Sequence, residues 1–181
     1  MPYEPPPELA SLSLAQIAEL VEARKLPPLD KWSPEETGDS EMRIAADGRW
    51  THQGGAINRP AIVRAFASLL MRDEQGQHWL VTPVQKLSIE VEDAAFIAID
   101  VRQDGDALAF LLNTDDLVIA GPDHPLRVTG DADNPAVYLS VRHGTEARLN
   151  RSTWAQLAEI AIAGDGTSVA SMGMTFTLVP E

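Results

Sequence analysis

The sequence contains no cysteine among its 181 residues. This absence excludes disulfides, thiolate zinc sites and cysteine nucleophiles together. No apolar run approaches the roughly 20 residues that a membrane-spanning helix requires. Positive charge is also scarce, because 14 basic against 27 acidic residues leave a formal net charge of −13. A field of that sign repels nucleic-acid backbones and anionic membranes, so we expect neither as a non-specific partner.

The N-terminus has none of the features of a secretion signal. Residues 1–8 are rich in proline and acid, with no basic segment and no apolar segment. We therefore expect a soluble, cytoplasmic protein with a mobile N-terminus over residues 1–12. A first helix is expected from Ser13 onwards, where a cap residue precedes an apolar stripe of helical period.

The chain contains an internal repeat, and repeats indicate how a fold is organised. The pair Asn58-Arg59 precedes one helical pattern, and the pair Asn150-Arg151 precedes another. A glycine turn and a strand come before each pair, and a second glycine turn and a strand follow each helix. The sequence therefore predicts two copies of a strand–turn–strand–helix–strand unit.

This pattern predicts an α+β fold of two packed domains. Pro83 interrupts a strand pattern, so we expect an N-terminal α+β domain over residues 13–86 and a β-rich C-terminal domain over residues 87–181. In the second domain, Ile97, Ile99 and Val101 alternate before the turn at Asp104-Gly105, which predicts a hairpin. This domain is expected to be an antiparallel β-roll that carries one helix.

In the first domain, Asp47-Gly48 is the expected hairpin turn, and Asn58 is the expected helix cap. The buried helical stripe is predicted to contain Ile62, Phe66, Leu69 and Leu70.

A family resemblance extends over nearly the whole chain from about Trp32. The segments that carry it are Asp47-Gly48-x-Trp50, Asn58-Arg59-Pro60, Leu80-Val81-Thr82-Pro83-Val84, Ile89-x-Val91-x-Asp93, Asn113, Val141-Arg142 and Ser171-Met172-Gly173-x-x-Phe176. In these segments the chain resembles a bacterial family known as a domain of unknown function, DUF1285. It departs from the family pattern at Gln85, where a glutamate is expected.

The resemblance has implications for fold and function. It implies a two-domain protein with a duplicated core, whose C-terminal half is superficially similar to pleckstrin-homology folds. It also implies a site for an anionic, nucleotide-like small molecule at the domain interface, with a role in bacterial signal transduction. No established reaction accompanies the family.

The most informative candidates are the arginines at the two predicted helix starts. A helix N-terminus carries partial positive charge, so a cation there is unfavourable by ~0.3–1 kcal/mol and needs a reason. One reason is a salt bridge to an acidic residue, and the other is an anion bound jointly by the arginine and the helix. Both interpretations of Arg59 and Arg151 remain open at this point.

The remaining candidates would complete an anion site. The basic residues Arg64, Lys86 and Arg142 would add positive charge, and Trp50 with His52 would supply a stacking face beside the first helix. The alternative for Trp50 is an ordinary core position. We therefore expect ligand binding by Trp50, His52, Arg59, Arg64, Lys86, Arg142 and Arg151.

The sequence predicts no metal site and no cofactor, because the histidines His52, His78, His124 and His143 lack ligand spacing. No catalytic signature is present either, so the leading hypothesis is a non-catalytic regulatory module that binds an anionic ligand. One alternative is a hydrolase that uses His52 with Asp93 or Glu90 as acid–base groups. Another is an interaction module that docks a protein partner through the C-terminal domain.

Overall fold

The structure is a computed structural model that describes residues 26–180. The mobile segment predicted for residues 1–12 and the helix predicted from Ser13 lie outside the described residues. The described chain divides into two units. The N-terminal unit contains residues 26–96 and Val141–Glu146, and the C-terminal unit contains Ile97–Ser140 and residues 147–180. The α+β class is confirmed, because each unit combines a six-stranded sheet with an α-helix.

A short 3-10 helix, Leu29–Lys31, begins the N-terminal unit, and six strands form its sheet. The strands are β1 (Glu36–Ile44), β2 (Trp50–His52), β3 (Gly55–Ala56), β4 (Leu70–Arg72), β5 (His78–Val81) and β6 (Gln85–Val91). Their order across the sheet is β3-β2-β1-β6-β5-β4. The central pair β1 and β6 is parallel, whereas β1–β2, β2–β3, β4–β5 and β5–β6 are antiparallel.

One face of this sheet carries the core of the unit. Ile44 pairs with Trp50 and Leu70 pairs with Leu80 across antiparallel neighbours, and all of these side chains are buried. Because side chains alternate along a strand, the residues between them project to the opposite, polar face. Arg43 and Glu90 are register partners there, and their side chains form an ion pair at 3.5 Å.

Helix α1 (Pro60–Ala67) contacts the sheet through Phe66. The rings of Trp50 and Phe66 stack with 6.4 Å between their centroids. The predicted helical stripe was too long, because the helix ends at Ala67 and Leu70 belongs to β4. Leu70 pairs with Leu80 and is completely buried in the sheet. Ile62, predicted to be buried, lies on the exposed side of the helix.

Six strands also form the sheet of the C-terminal unit. They are β7 (Phe96–Asp104), β8 (Ala107–Leu112), β9 (Leu117–Ile119), β10 (Leu126–Gly130), β11 (Pro135–Ser140) and β12 (Glu146–Leu149). Their order is β10-β11-β12-β7-β8-β9. The predicted hairpin around Asp104-Gly105 is confirmed by antiparallel pairing of β7 with β8.

Helix α2 (Arg151–Ala163) follows β12 directly and buries Thr153, Leu157 and Ala161. After it, β13 (Ser168–Ser171) and β14 (Met174–Thr177) form a separate two-stranded ladder. Neither α-helix of residues 26–180 is long and apolar enough to cross a membrane.

The boundary between the units differs from the one predicted near Lys86. That position falls inside β6, which is a central strand of the first sheet. The chain changes unit after Phe96 instead. Pro83, which suggested the predicted boundary, lies in the turn between β5 and β6. Hydrogen bonds between Thr82 and Gln85 close this turn.

Candidate functional site

The start of α1 is a helix N-terminus without a side-chain cap. Arg59, not Asn58, occupies the N-cap position, and its side chain accepts no hydrogen bond. Pro60 has no N–H, and the N–H groups of Ile62 and Val63 both bond to the carbonyl of Arg59. Within residues 26–180, this leaves the N–H of Ala61 without a backbone or cap acceptor.

The charge at this helix start is also unusual. The first turn of α1 contains no acidic residue, and Arg59 is exposed. No ion pair in the described part of the chain includes the Arg59 side chain. The salt-bridge interpretation of Arg59 therefore has no support from these residues. The start of α1 presents positive charge and an available N–H donor at the surface.

The start of α2 differs, although the sequence predicted two equivalent sites. Asn150 is the N-cap, and its Oδ1 accepts the N–H of Thr153 at 2.9 Å. The hydroxyl of Ser152 donates to the same oxygen at 3.1 Å. Arg151 is exposed, and over residues 26–180 it too forms no ion pair. The cap satisfies the N–H of Thr153, and within residues 26–180 the N–H groups of Arg151 and Ser152 have no backbone or cap acceptor. The two helix starts therefore differ in their capping and not in a shortage of open donors at α2.

Two of the predicted ligand-binding cations have internal partners. The guanidinium of Arg142 lies 5.1 Å from the centroid of Phe96, and its Nη2 donates to the carbonyl of Ala67 at 3.4 Å. Ala67 is the last residue of α1, so this cation stabilises the negative end of the helix. The ammonium of Lys86 lies 4.4 Å from the centroid of Trp79. Both contacts are structural, whether or not a ligand also binds.

The aromatic candidate Trp50 is a core residue. It is only 2% exposed and stacks on Phe66, so its ring offers no open face to a ligand. No hydrogen-bond acceptor among residues 26–180 reaches its indole N–H. Arg64 lies half-buried in α1, and His52 is exposed at the end of β2.

Gly54 lies beside His52, and local backbone geometry explains its presence. It follows Gln53 in the tight turn between β2 and β3, and both residues have positive φ angles, 50° and 82°. This backbone geometry favours glycine whether or not a ligand approaches.

The register separates one acid–base pair of the hydrolase alternative. His52 shares its face of β2 with Trp50, whereas Glu90 shares the opposite face with Arg43. The structure therefore does not bring His52 and Glu90 together. No group of three His, Asp or Glu side chains within residues 26–180 is placed to hold a metal ion.

A polar groove of about 650 Å³ lies on the N-terminal unit, and its charges are mainly acidic. Its lining residues include Asp39, Glu41, Arg43, Gln77 and Glu90. Three of these are carboxylates, and the one arginine pairs with Glu90 at 3.5 Å. An anion would meet net negative charge there, so this groove is not the anion site that the sequence predicts.

Sequence reasoning did not identify a partly buried polar cluster at β4 and β5, in which His78 is the buried member. Arg72 Nη1 donates to Glu146 Oε1 at 3.1 Å, and Arg72 is the register partner of His78. Burial, followed by the charge of Arg72, lowers the pKa of His78 to about 4, although Asp73 and Glu146 oppose the shift. The signal available in the sequence was His78, a polar residue at a buried strand position. The cluster also requires Glu146, which accepts from Arg72 but is remote from it in sequence.

Comparison with known proteins assigns the family. The family model described as "Domain of unknown function (DUF1285), N-terminal domain" matches residues 27–94, and "Protein of unknown function (DUF1285), C-terminal domain" matches residues 95–178. The chain belongs to the DUF1285 family. The boundary between the two matched DUF1285 domains lies close to the end of the first structural unit at Phe96.

Two solved DUF1285 structures are similar to this chain. A DUF1285 family protein from Silicibacter pomeroyi DSS-3 shares 38% identity with a TM-score of 0.78, covering 94% of this chain and 97% of that one. A DUF1285 family protein from Shewanella baltica OS155 shares 24% identity with a TM-score of 0.55, covering 65% of this chain and 90% of that one. The second comparison supports the fold alone. No curated protein matches the chain.

Proposed function

We propose that this DUF1285 protein is a non-catalytic regulatory module that binds a small anionic ligand at the start of α1. The observation that carries the proposal is the N-terminus of α1: Arg59 stands at its N-cap, no side chain caps it, and its first turn contains no acid. Arg59 and the N–H of Ala61 would contact the anion directly.

An anion would offset two unfavourable features of this helix start. The aligned peptide dipoles place roughly half a positive charge at a helix N-terminus. Arg59 adds a full positive charge beside it, and in residues 26–180 no carboxylate side chain forms an ion pair with that charge. A phosphate or carboxylate would accept both the guanidinium and the open backbone N–H.

The overall charge favours a small ligand over a polymer. At a net charge of −13, the chain repels extended polyanions, whereas a single phosphate group needs only a local positive site. Arg64 lies in the last turn of α1, so its contribution to a site at the helix start stays a prediction. A nucleotide-like ligand is therefore the first class to test.

Other parts of the sequence-based hypothesis stay predictions. These are a ligand position between the two domains, a contribution from Arg151, and a role in signal transduction. Two further statements also stay predictions: that the C-terminal unit resembles pleckstrin-homology folds, and that the protein docks a protein partner.

A thermal-shift screen of the full chain tests the proposal. The probes are inorganic phosphate, nucleotides, cyclic nucleotides and phosphorylated sugars. A ligand present at about 100 times its Kd should stabilise the fold by ~2.7 kcal/mol, which raises the Tm by several degrees. Arg59→Ala should abolish the shift.

One arginine variant controls for a loss of net charge. Arg49→Ala removes an exposed arginine whose Nε lies 3.3 Å from Asp47 Oδ2, and it should retain the ligand-induced shift. Arg151→Ala tests the predicted contribution of the second helix start. If none of the probes stabilises the wild-type chain, or if Arg59→Ala responds like the wild type, the proposal is wrong.

A further inference from the structure

Helix α1 is attached firmly to its unit at its C-terminal end. Among the eight residues of α1, Ala67 is the one that is fully buried, and its carbonyl accepts a hydrogen bond from Arg142 Nη2 at 3.4 Å. Two residues later, the carbonyl of Leu69 accepts the N–H of Val81 at 2.9 Å, and Leu70 begins β4. The chain is therefore fixed at the point where α1 ends.

The first turn of α1 is exposed by contrast. Residues 58–62 are all exposed, and the helix start has neither a side-chain cap nor an acidic residue. A helix of eight residues is marginal in water unless packing or capping supports it. A segment with little burial and exposed hydrogen bonds opens locally at a lower free energy than the whole fold unfolds.

Trp50 gives an independent indication that α1 opens. The Phe66 ring stacks on its indole, with 6.4 Å between the ring centroids and 16° between the ring planes. The indole N–H of Trp50 is buried, and no acceptor among residues 26–180 reaches it. A buried donor without an acceptor is unfavourable, and contact with water relieves it. Movement of Phe66 with the rest of α1 would let water reach this N–H.

We propose that α1 is a lid over Trp50 that opens from its N-terminal end and is closed by negative charge at that end. In the closed helix the peptide dipoles are aligned, and an anion beside the open N–H of Ala61 stabilises that alignment. In the open segment the N–H groups no longer point together, so the anion binds the open state less tightly. The anion therefore shifts α1 towards the closed state and controls access to Trp50.

The inference rests on the proposed function for the identity of the anion, since the ligand bound at Arg59 would be the signal and the covering of Trp50 the response. The lid itself can be tested without a ligand. Ala61 is exposed in the first turn of α1, and Ala65 is exposed in the last turn. A glutamate at either position adds the same charge, but only the one at position 61 lies at the positive end of the helix.

Hydrogen exchange of the full chain, followed by NMR, tests the lid. The amides of residues 63–66 and the indole N–H of Trp50 should exchange in one opening event, with protection factors at least about tenfold below those of the central pair β1 and β6. Ala61→Glu should raise the protection of both groups about two- to fivefold. Ala65→Glu is the matched control and should not raise it.

Exchange in the presence of inorganic phosphate or adenosine monophosphate, at matched pH and ionic strength, separates the lid from its ligand. An anion bound at Arg59 should protect residues 63–66 and Trp50 in the wild type and leave β1 and β6 unchanged. Protection by Ala61→Glu but by neither probe would support the lid and reject both probes as ligands of the proposed site. The inference is overturned if residues 63–66 and Trp50 exchange only together with β1 and β6, or if Ala61→Glu and Ala65→Glu change the protection equally.

Discussion

A Cβ atom on Gly144 would lie 2.5 Å from the carbonyl oxygen of Arg72. Gly144 belongs to the turn after β11 and has a φ of +78°. The carbonyl of the preceding residue, His143, accepts a hydrogen bond from the N–H of Arg72 at 2.9 Å. The turn therefore packs on the backbone of β4 so closely that a side chain at position 144 has no space.

We predict that Gly144→Ala lowers the free energy of unfolding by more than the cost of a left-handed backbone at this position. A left-handed backbone costs an alanine about 1–2 kcal/mol, and the contact with Arg72 adds to that cost. The matched control is Gly76→Ala, since Gly76 has a φ of +87° and a Cβ added there would meet nothing within 4 Å. Urea unfolding should show a clearly larger loss at 144. Equal losses for the two variants would mean that the turn moves away from β4 at little cost.

The buried His78 predicts a loss of stability in mild acid. Its pKa in the folded state is about 4, against 6.5 for an ordinary histidine. As the pH falls, the unfolded chain therefore takes up this proton first. The contribution of His78 to stability is complete above pH 6.5 and is lost progressively as the pH falls towards 4, to a total of about 3 kcal/mol.

Urea unfolding at several pH values between about 7.5 and 4.5 measures this effect. His78→Gln should flatten the dependence of the unfolding free energy on pH in this range, even if it lowers stability throughout. His52→Gln, at an exposed position, should keep the wild-type slope. An unchanged slope in His78→Gln would assign the acid sensitivity to other groups, among them His143, whose pKa is also lowered by burial.

At the end of the ladder between β8 and β9, the Ser171 hydroxyl takes the place of one direct backbone hydrogen bond. Its hydroxyl accepts the N–H of Leu108 at 2.8 Å and donates to the carbonyl of Ala120 at 2.7 Å. Ser171 is 0% exposed, so Ser171→Ala would leave two buried backbone groups without partners. We predict a loss of about 2–3 kcal/mol in thermal unfolding. Ser152→Ala, at an exposed position, should lose less than about 0.5 kcal/mol, and similar losses for both would contradict the bridging role.

The two asparagines of the sequence repeat should differ in their contribution to stability. Asn150→Ala removes the cap that accepts the N–H of Thr153 and should cost about 1 kcal/mol. Asn58→Ala should cost little, because Asn58 is not the N-cap of α1. Chemical unfolding of both variants measures the difference, and a larger loss at Asn58 would show that α1 begins one residue earlier.

Short-range patterns were reliable where one interaction dominates. The turns at Asp47-Gly48 and Asp104-Gly105 were predicted from glycine and flanking strands, and both hairpins are present. Position-by-position alternation was less reliable. Ile97, Ile99 and Val101 were expected on one face, but the register shifts between Ala98 and Asp100, and Ile99 is 38% exposed. A bulge of this kind depends on the partner strand, so the sequence of β7 alone does not reveal it.

Long-range pairing explains the other differences. β6 was divided at Lys86 because Pro83 marks a local break, yet β6 pairs in parallel with β1 and lies at the centre of the sheet. The contacts of Arg127 and Arg148 with the Tyr138 ring were likewise not predicted, because they depend on which strands are neighbours. The equivalence of Asn58-Arg59 and Asn150-Arg151 was visible in sequence, but the different capping of the two helices was not.

The assignment of Val141–Glu146 to the N-terminal unit has a consequence for biosynthesis. A ribosome completes β1 to β6, and then β7 to β11, before it delivers the residues that pair with Arg72. At translation rates of about 5–20 residues per second, the first unit would wait for its last segment on the order of seconds. A fragment cut at the family boundary after residue 94 would lack that segment permanently. Separate expression of the two DUF1285 domains would therefore yield an N-terminal piece with an unfinished edge at β4.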